Sequence, residues 1–270
     1  MTFFSHQATL APHFQHTDAP IFMPCPLYRI ESMIRTATTL FCTLLFASNT
    51  LASAAPMPTP VLFTQAEKQR QRWLPELQRF IHQDRQHPPA EEMTLFVGSS
   101  TIRRWATLQI DMAPLDSINR GFGGSTMQDL LLLADELVIR YQPTNVVVYE
   151  GDNDLAYGAA LARFQQPAQA FARYLHQRLP GTRLVFVAIK PSPARFHRWQ
   201  RYQQANHWLR SHARRGGWQF IDANASLLKA DGKPDPRFYA ADGVHLNQAG
   251  YRRWGGAVKT GLRRLGLVPG

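Results

Sequence analysis

The chain has 270 residues, of which 44% are hydrophobic and 18% are charged, and it carries a formal net charge of +11. This is ordinary globular composition, with enough length for one sizeable core and no need for two domains. The two cysteines, Cys25 and Cys42, provide no disulfide framework and so exclude a small disulfide-stapled fold.

The first segment with a recognisable pattern is a predicted export signal. Residues 33–56 contain Arg35, an apolar stretch over 37–47 and then Ala52-Ser53-Ala54. This order is typical of a secretory signal peptide cleaved after Ala54, and its apolar stretch is about half of the roughly 20 residues that a membrane span needs. Residues 1–32 show no periodicity, so Met33 is the predicted start. We expect an exported protein, either periplasmic or secreted.

The predicted mature chain, residues 55–270, keeps the whole net charge, because residues 1–54 contain two basic and two acidic residues. Many of the basic residues fall in the segment 195–215. A basic surface suits an anionic envelope surface as a partner, although solvated helix faces explain the same residues without one. No motif indicates nucleic-acid binding. The oligomeric state is left open.

After a Pro-rich linker (56–60), the hydrophobic periodicity predicts an amphipathic helix over 64–86, with Trp73, Leu77, Phe80 and Ile81 on one face. The linker and this helix form the segment 55–92. The remainder, 93–270, is predicted to be a single domain.

Strand-like and helical patterns then alternate. Near-continuous apolar runs predict strands covered on both faces at 93–97, 145–150 and 183–189, and weaker signals lie at 116–120 and 218–223. Helical patterns occupy 126–141, roughly 159–179, 195–214 and 247–265, the last capped by Asn247. This alternation predicts an α/β fold with three layers, in which helices cover both faces of a parallel sheet.

Four polar loops follow or adjoin the predicted strand ends: GSST (98–101), RGFGGST (120–126), GDND (151–154) and ADGVHLN (241–247). Sites on such folds form in the loops beyond the carboxyl ends of the strands. Taken singly, each loop is also explained as an ordinary turn or connection. Function is indicated only if the four act together.

Together these loops contain the groups that an acyl-transfer reaction needs. A serine nucleophile requires a base within hydrogen-bond reach and a group that orients the base. Asp242 and His245 lie three residues apart, so the carboxylate can hold one ring nitrogen while the other faces a hydroxyl. Gly124 can offer a backbone N–H and Asn153 a side-chain amide to a developing oxyanion.

Several common alternatives lack their motifs. Neither GSSTI nor GGSTM fits the G-x-S-x-G elbow of α/β-hydrolases, and GFGGST fits neither the dinucleotide fingerprint nor the P-loop. No cofactor is therefore expected. Asp152, Asp154, Asp242 and His245 are capable of binding a metal ion, but no H-x-x-x-H pair supports such a site, and no metal is expected.

The four loops, in this order, resemble the four sequence blocks of the SGNH, or GDSL-type, esterase and lipase family over residues 93–262. The resemblance implies a flavodoxin-like α/β/α sandwich without a cofactor. It also implies that Ser100 is the nucleophile, His245 the general base and Asp242 its orienting group. The oxyanion would be bound by Gly124, Asn153 and the backbone N–H of Ser100. Two positions depart from the family pattern: Ser99 stands where an aspartate usually precedes the nucleophile, and Thr101 stands where a leucine usually follows it.

The resemblance implies an exported serine esterase that forms an acyl-enzyme, with a polysaccharide, lipid or small-molecule ester as substrate. Export and the lack of a long apolar lid favour a short-chain acyl or O-acetyl ester of envelope carbohydrate. A lysophospholipase or thioesterase acting on lipids is the first alternative. Two others come from different classes: a non-catalytic envelope- or carbohydrate-binding protein on the same scaffold, and a phosphodiesterase or nuclease suggested by the net charge.

Overall fold

The computed structural model describes residues 64–156 and 158–268. The predicted signal peptide, the start at Met33 and the cleavage position lie outside these residues. Among the residues that are described, no helix combines the length and the apolar character that crossing a bilayer requires.

Five strands form the sheet: β1 (Thr94–Gly98), β2 (Ser117–Gly121), β3 (Asn145–Tyr149), β4 (Arg183–Val187) and β5 (Gln219–Ile221). The α-helices are α1 (Gln65–Gln86), α2 (Ser100–Arg103), α3 (Leu108–Met112), α4 (Met127–Leu132), α5 (Ala134–Leu137), α6 (Asp152–Ala156), α7 (Ala162–Arg178), α8 (Trp199–Gly216) and α9 (Gln248–Arg264). Short 3-10 turns cover Ile139–Tyr141, Pro193–Arg198, Asn224–Leu227 and Pro236–Phe238.

The sheet is parallel throughout, with the strand order β2-β1-β3-β4-β5. This is the flavodoxin-like order, in which the chain turns back between β1 and β3 and opens a crevice at the carboxyl ends of those two strands. The prediction of a three-layer α/β fold is confirmed. The loops after β1, β2 and β3 therefore meet at one edge of the sheet.

Each central strand divides its side chains between two cores. Leu95 and Val97 of β1 pack with α1, α4, α7 and α8 on one face, while Phe96 packs with α3 and α9 on the other. All five residues of β1 and of β3 are buried. Burial on both faces explains why these strands have continuous apolar runs rather than alternating ones.

The first helix packs on one of these cores as its periodicity predicts. Trp73, Leu77 and Phe80 are buried, whereas Ile81 is only half-buried. A capping box at Thr64 and Glu67 starts the helix. The Nε1–H of Trp73 donates to the buried Asp129 of α4 over 3.0 Å, so α1 is tied to the domain and is not a separate appendage.

Two helix predictions need correction. The single helix expected over 126–141 is broken into α4, α5 and a 3-10 turn, with non-helical backbone angles at Leu133 and Val138. The helix expected over 195–214 starts as a 3-10 turn, Pro193–Arg198, and becomes α-helical only from Trp199. The GDND segment, interpreted as a turn, begins helix α6.

Candidate active site

The turn after β1 places Ser100 at the sheet edge. Gly98 ends the strand with φ +139°, and a Cβ atom there would lie 2.0 Å from the carbonyl oxygen of Tyr149 on the neighbouring strand. Only glycine accommodates both the backbone angle and this close approach. Ser99 then occupies the N-cap position of α2 in an extended conformation, without a side-chain capping hydrogen bond, and Ser100 is the first residue of that helix.

The two adjacent serines face different surroundings. Ser99 is fully buried, and its Oγ–H donates to Oδ1 of Asp152 over 3.3 Å. Ser100 is half-buried and faces the loop that contains His245.

This contact accounts for the departure at position 99. An aspartate there would oppose a second buried carboxylate, that of Asp152, and like charges at short range are destabilising. A serine donates a hydrogen bond to the same carboxylate. The sequence change is therefore compatible with an intact nucleophile turn.

Ser100, His245 and Asp242 form a continuous hydrogen-bonded chain. The Nε2 atom of His245 lies 2.9 Å from Oγ of Ser100, and Nδ1 lies 2.6 Å from Oδ2 of Asp242. Because an ionised carboxylate only accepts, Nδ1 carries the ring proton and Nε2 is free to accept the serine proton. This is the arrangement that base-assisted nucleophilic attack requires.

Hydrogen bonds within its own loop keep Asp242 ionised. Partial burial acts to raise its pKa, but the backbone N–H and ring of His245 and the backbone N–H of Val244 donate to the carboxylate and hold the pKa well below its usual range. The side chain is 43% exposed, and Arg104 approaches Oδ2 to 3.6 Å. The orienting carboxylate is therefore ionised at neutral pH.

The predicted oxyanion donors follow the carboxyl ends of β1, β2 and β3 and so lie at the same edge of the sheet. Gly124 has φ +81°, and a Cβ atom built on it would meet nothing within 4 Å, so its backbone faces open space. Within the described part of the chain, no hydrogen-bond acceptor is paired with the N–H of Gly124 or of Ser100. Asn153, in the first turn of α6, donates from Nδ2 to the carbonyl oxygen of Ser125 over 2.9 Å.

Two buried carboxyl groups accept hydrogen bonds from the glycine-rich loop and from the helix that follows it. Ser125 donates to Glu150 over 2.5 Å, and the backbone N–H of Met127 donates to Asp154 over 3.0 Å. Burial raises the pKa of Glu150 well above its usual value and that of Asp154 to about 7. These groups hold Ser125 and Met127 in place, and the sequence analysis assigned them no such role.

A fully buried lysine holds the histidine loop. The Nζ of Lys190, three residues after the end of β4, donates to the carbonyl oxygen of Val244 over 2.8 Å, one residue before His245. Burial lowers the pKa of this ammonium group to about 8, with the Asp152 carboxylate opposing the shift. The sequence analysis assigned no role to Lys190.

Replacing Lys190 with methionine is expected to lower kcat about 10- to 100-fold by releasing the loop that positions His245.

The same variant tests the buried charge through its effect on stability. Because the pKa of Lys190 is lower in the folded than in the unfolded chain, the wild-type protein gains stability from this group as the pH rises from about 8 to 10.5. The variant lacks that gain. Urea unfolding of both proteins should therefore show that the unfolding free energy of the wild type, minus that of the variant, is larger at about pH 10 than at about pH 7. A pH-independent difference would contradict this account.

No group of three or more His, Cys, Asp or Glu side chains suited to holding a metal ion occurs in residues 64–156 and 158–268. Asp152 and Asp154 hydrogen-bond to Ser99 and Met127 rather than joining Asp242 and His245. The chemistry available at this edge of the sheet is that of a hydroxyl, an imidazole, a carboxylate and N–H donors.

Comparison with known proteins identifies the family of this chain and supports its fold. Residues 91–253 match the GDSL-like lipase/acylhydrolase family. A GDSL-like lipase from Bacteroides thetaiotaomicron has a similar structure, with a TM-score of 0.60 and 20% identity over 70% of this chain and 98% of that chain. An acetylxylan esterase from Geobacillus stearothermophilus aligns with a TM-score of 0.52 and 19% identity over 66% of this chain and 95% of that one. At these identities the likeness concerns the fold. No curated protein matches the sequence.

Proposed function

Since this chain belongs to the GDSL-like lipase/acylhydrolase family, whose members hydrolyse ester bonds, we propose that it is an exported serine esterase with Ser100, His245 and Asp242 as its catalytic triad. The observation that carries the proposal is the chain of contacts from Ser100 Oγ to His245, 2.9 Å, and from His245 to Asp242, 2.6 Å. These two contacts give each group the orientation that its role requires.

The reaction proceeds in two halves. His245 Nε2 takes the proton of Ser100 while Oγ attacks the ester carbonyl carbon, and the negative charge on the carbonyl oxygen is bound by the N–H groups of Ser100 and Gly124 and the amide of Asn153. His245 then gives the proton to the departing alcohol, which leaves an acyl-Ser100. Water, deprotonated by His245, attacks the acyl carbon, and the carboxylic acid leaves as Ser100 regains its proton.

The proposed substrate is a short-chain acyl ester, such as an O-acetyl group on carbohydrate. In the described residues the large apolar side chains with high exposure are Leu74 on α1 and Ile110 on α3, and neither belongs to the loops around Ser100. A long acyl chain needs apolar surface beside the nucleophile, whereas the neighbours here include the exposed Arg104 and Asp242. The structural likeness to an acetylxylan esterase supports the same substrate class.

A panel of esters tests this substrate assignment. Rates of hydrolysis would be compared for p-nitrophenyl acetate, p-nitrophenyl decanoate, acetylated xylooligosaccharides and lysophosphatidylcholine, with Ser100→Ala as the matched inactive control. We expect kcat/KM for the acetyl esters to exceed that for the decanoyl ester by about 10-fold or more. A preference for the decanoyl ester or for lysophosphatidylcholine would favour a lipid acylhydrolase instead.

Asn153→Ala is expected to lower kcat about 100- to 1000-fold, the usual consequence of removing one oxyanion donor. Ser100 should still react slowly with a fluorophosphonate, because the nucleophile and its base are untouched. Asn153→Asp is the matched variant, since it keeps the shape of the side chain but presents a carboxylate to the oxyanion. Near-normal turnover in either variant would remove Asn153 from the oxyanion site.

Export is the remaining part of the proposal, and it is supported by the sequence pattern over 33–54. Expression from Met1 and from Met33 in a Gram-negative host, followed by cell fractionation and N-terminal sequencing, tests it. We expect the mature protein to leave the cytoplasm and to begin at Ala55. An uncleaved cytoplasmic protein would contradict the export proposal without affecting the proposed chemistry.

A further inference from the structure

Arg195 contacts the side-chain amide of Asn153, to which the proposed function assigns an oxyanion role. Its Nη1 atom lies 3.2 Å from Oδ1 of Asn153, 3.4 Å from the carbonyl oxygen of Asp152 and 3.6 Å from Oδ2 of Asp152. The arginine side chain is only 21% exposed. It is therefore held within the wall of the site rather than extended into solvent.

The backbone around Arg195 is tied to the catalytic loop. It lies in the 3-10 turn Pro193–Arg198, at a kink with φ −112° and ψ 16°. Its N–H donates to the carbonyl oxygen of Ser192, and the N–H of Ala194 donates to that of Gly243 over 3.0 Å. The backbone of Arg195 thus belongs to a segment that is hydrogen-bonded to the Asp242–His245 loop, and its guanidinium group contacts α6.

The hydrogen bonds of Asn153 leave one donor free. A primary amide has one acceptor oxygen and two N–H donors. Arg195 occupies Oδ1, and one N–H of Nδ2 is directed to Ser125. The second N–H has no acceptor among the described residues and is the one available to an oxyanion.

We propose that Arg195 is a positioning residue that acts through Asn153, locking the amide with its free N–H toward the oxyanion and polarising its carbonyl. The proposal rests on the oxyanion role of Asn153 in the proposed function. A charge-assisted hydrogen bond to Oδ1 draws electron density from the amide nitrogen and makes the remaining N–H a stronger donor. It also opposes rotation of the amide, which would turn Oδ1 toward the developing negative charge.

Direct attraction between Arg195 and the oxyanion is the weaker explanation. The Asp152 carboxylate lies 3.6 Å from the same guanidinium nitrogen, so the two charges offset each other at a distance. The hydrogen bond to Asn153, in contrast, is local and directional. The expected effect of Arg195 is therefore on kcat and is transmitted by the amide.

A double-mutant cycle between Arg195 and Asn153 tests the proposal. Arg195→Met should lower kcat about 10- to 100-fold, as expected for losing a hydrogen bond to a charged group, and change KM by less than about 2-fold. Arg195→Lys should restore part of the loss because it keeps a cationic donor. In the Asn153→Ala background, Arg195→Met should change kcat by less than about 2-fold, since the group through which it acts is gone. Arg214→Met, an exposed arginine of α8, is the matched control and should match the wild type.

Three results would overturn it: an unchanged kcat in Arg195→Met, an effect mainly on KM, or an equal fold-loss in the Asn153→Ala background. The last would show that Arg195 acts on the fold or on substrate directly. Thermal unfolding of each variant identifies a folding defect, and the Arg195→Lys variant keeps the test decisive if the Met variant does not fold. Fluorophosphonate labelling of Ser100 separates the two proposals, since a labelled Ser100 with a failed cycle refutes only the role of Arg195.

Discussion

Ser100→Ala is expected to lower kcat by about 10⁵- to 10⁶-fold on every ester that the wild-type protein hydrolyses, because it removes the atom that forms the acyl-enzyme. The fold should be unaffected, since Ser100 is half-buried and, among the described residues, its Oγ forms a hydrogen bond only with His245. The measurement is turnover of p-nitrophenyl acetate together with intact-mass analysis after exposure to a fluorophosphonate. A single adduct on the wild type should be absent from the variant.

Ser99→Ala is the matched control for this experiment. Ser99 is fully buried and donates to Asp152, so its replacement leaves a carboxylate oxygen without that donor and should lower stability rather than remove the adduct. An adduct that survives in Ser100→Ala but is lost in Ser99→Ala would reassign the nucleophile. A folded wild-type protein that forms no adduct would favour the non-catalytic binding protein.

The second large effect is expected for His245→Ala, which should lower kcat by about as much as Ser100→Ala. Without the imidazole, no base accepts the proton of Ser100 at 2.9 Å, and the Asp242 carboxylate loses the ring that it orients. The fluorophosphonate reaction should slow in parallel, because it needs the same activated hydroxyl. Stopped-flow or discontinuous assays of both reactions check this.

Non-additivity gives the sharper test of the triad. The Ser100→Ala/His245→Ala double variant should be no more than about 10-fold slower than either single variant, since the residues act as a unit. Multiplicative losses would mean that the two residues act independently. His207→Ala, an exposed histidine of α8, serves as the control and should retain normal turnover.

The strands could be predicted because burial on both faces leaves a local signature. The continuous apolar runs at 93–97, 145–150 and 183–189 correspond to β1, β3 and β4 within one or two residues. Successive side chains of a strand point to opposite faces of the sheet, so a strand that is covered on both faces has a continuous run of apolar residues. Even the weaker signals at 116–120 and 218–223 correspond to the two edge strands.

The helix breaks after Leu132 could not be predicted in the same way. Residues 127–141 contain neither Gly nor Pro, and their apolar pattern is compatible with one continuous helix. The break is produced by packing, because α4 lies against α7 while the 3-10 turn at Ile139–Tyr141 brings Tyr141 to Asp84 of α1, over 2.7 Å. Tertiary contacts of this kind override a local helical preference.

For the site, the residue types and the loops that contain them can be read from the sequence, because the four blocks and their spacing are local properties. Together with the family resemblance, they predict Ser100, Gly124, Asn153, Asp242 and His245 as site residues. The contact of His245 with Ser100 rather than Ser99 is visible only in the folded chain, because it joins residues 145 positions apart. The tertiary structure also brings Lys190 and Arg195 against the catalytic loops. Such contacts depend on how the sheet brings distant strand ends together. A pattern within a short window of sequence does not show how close in space two residues far apart in the chain will lie.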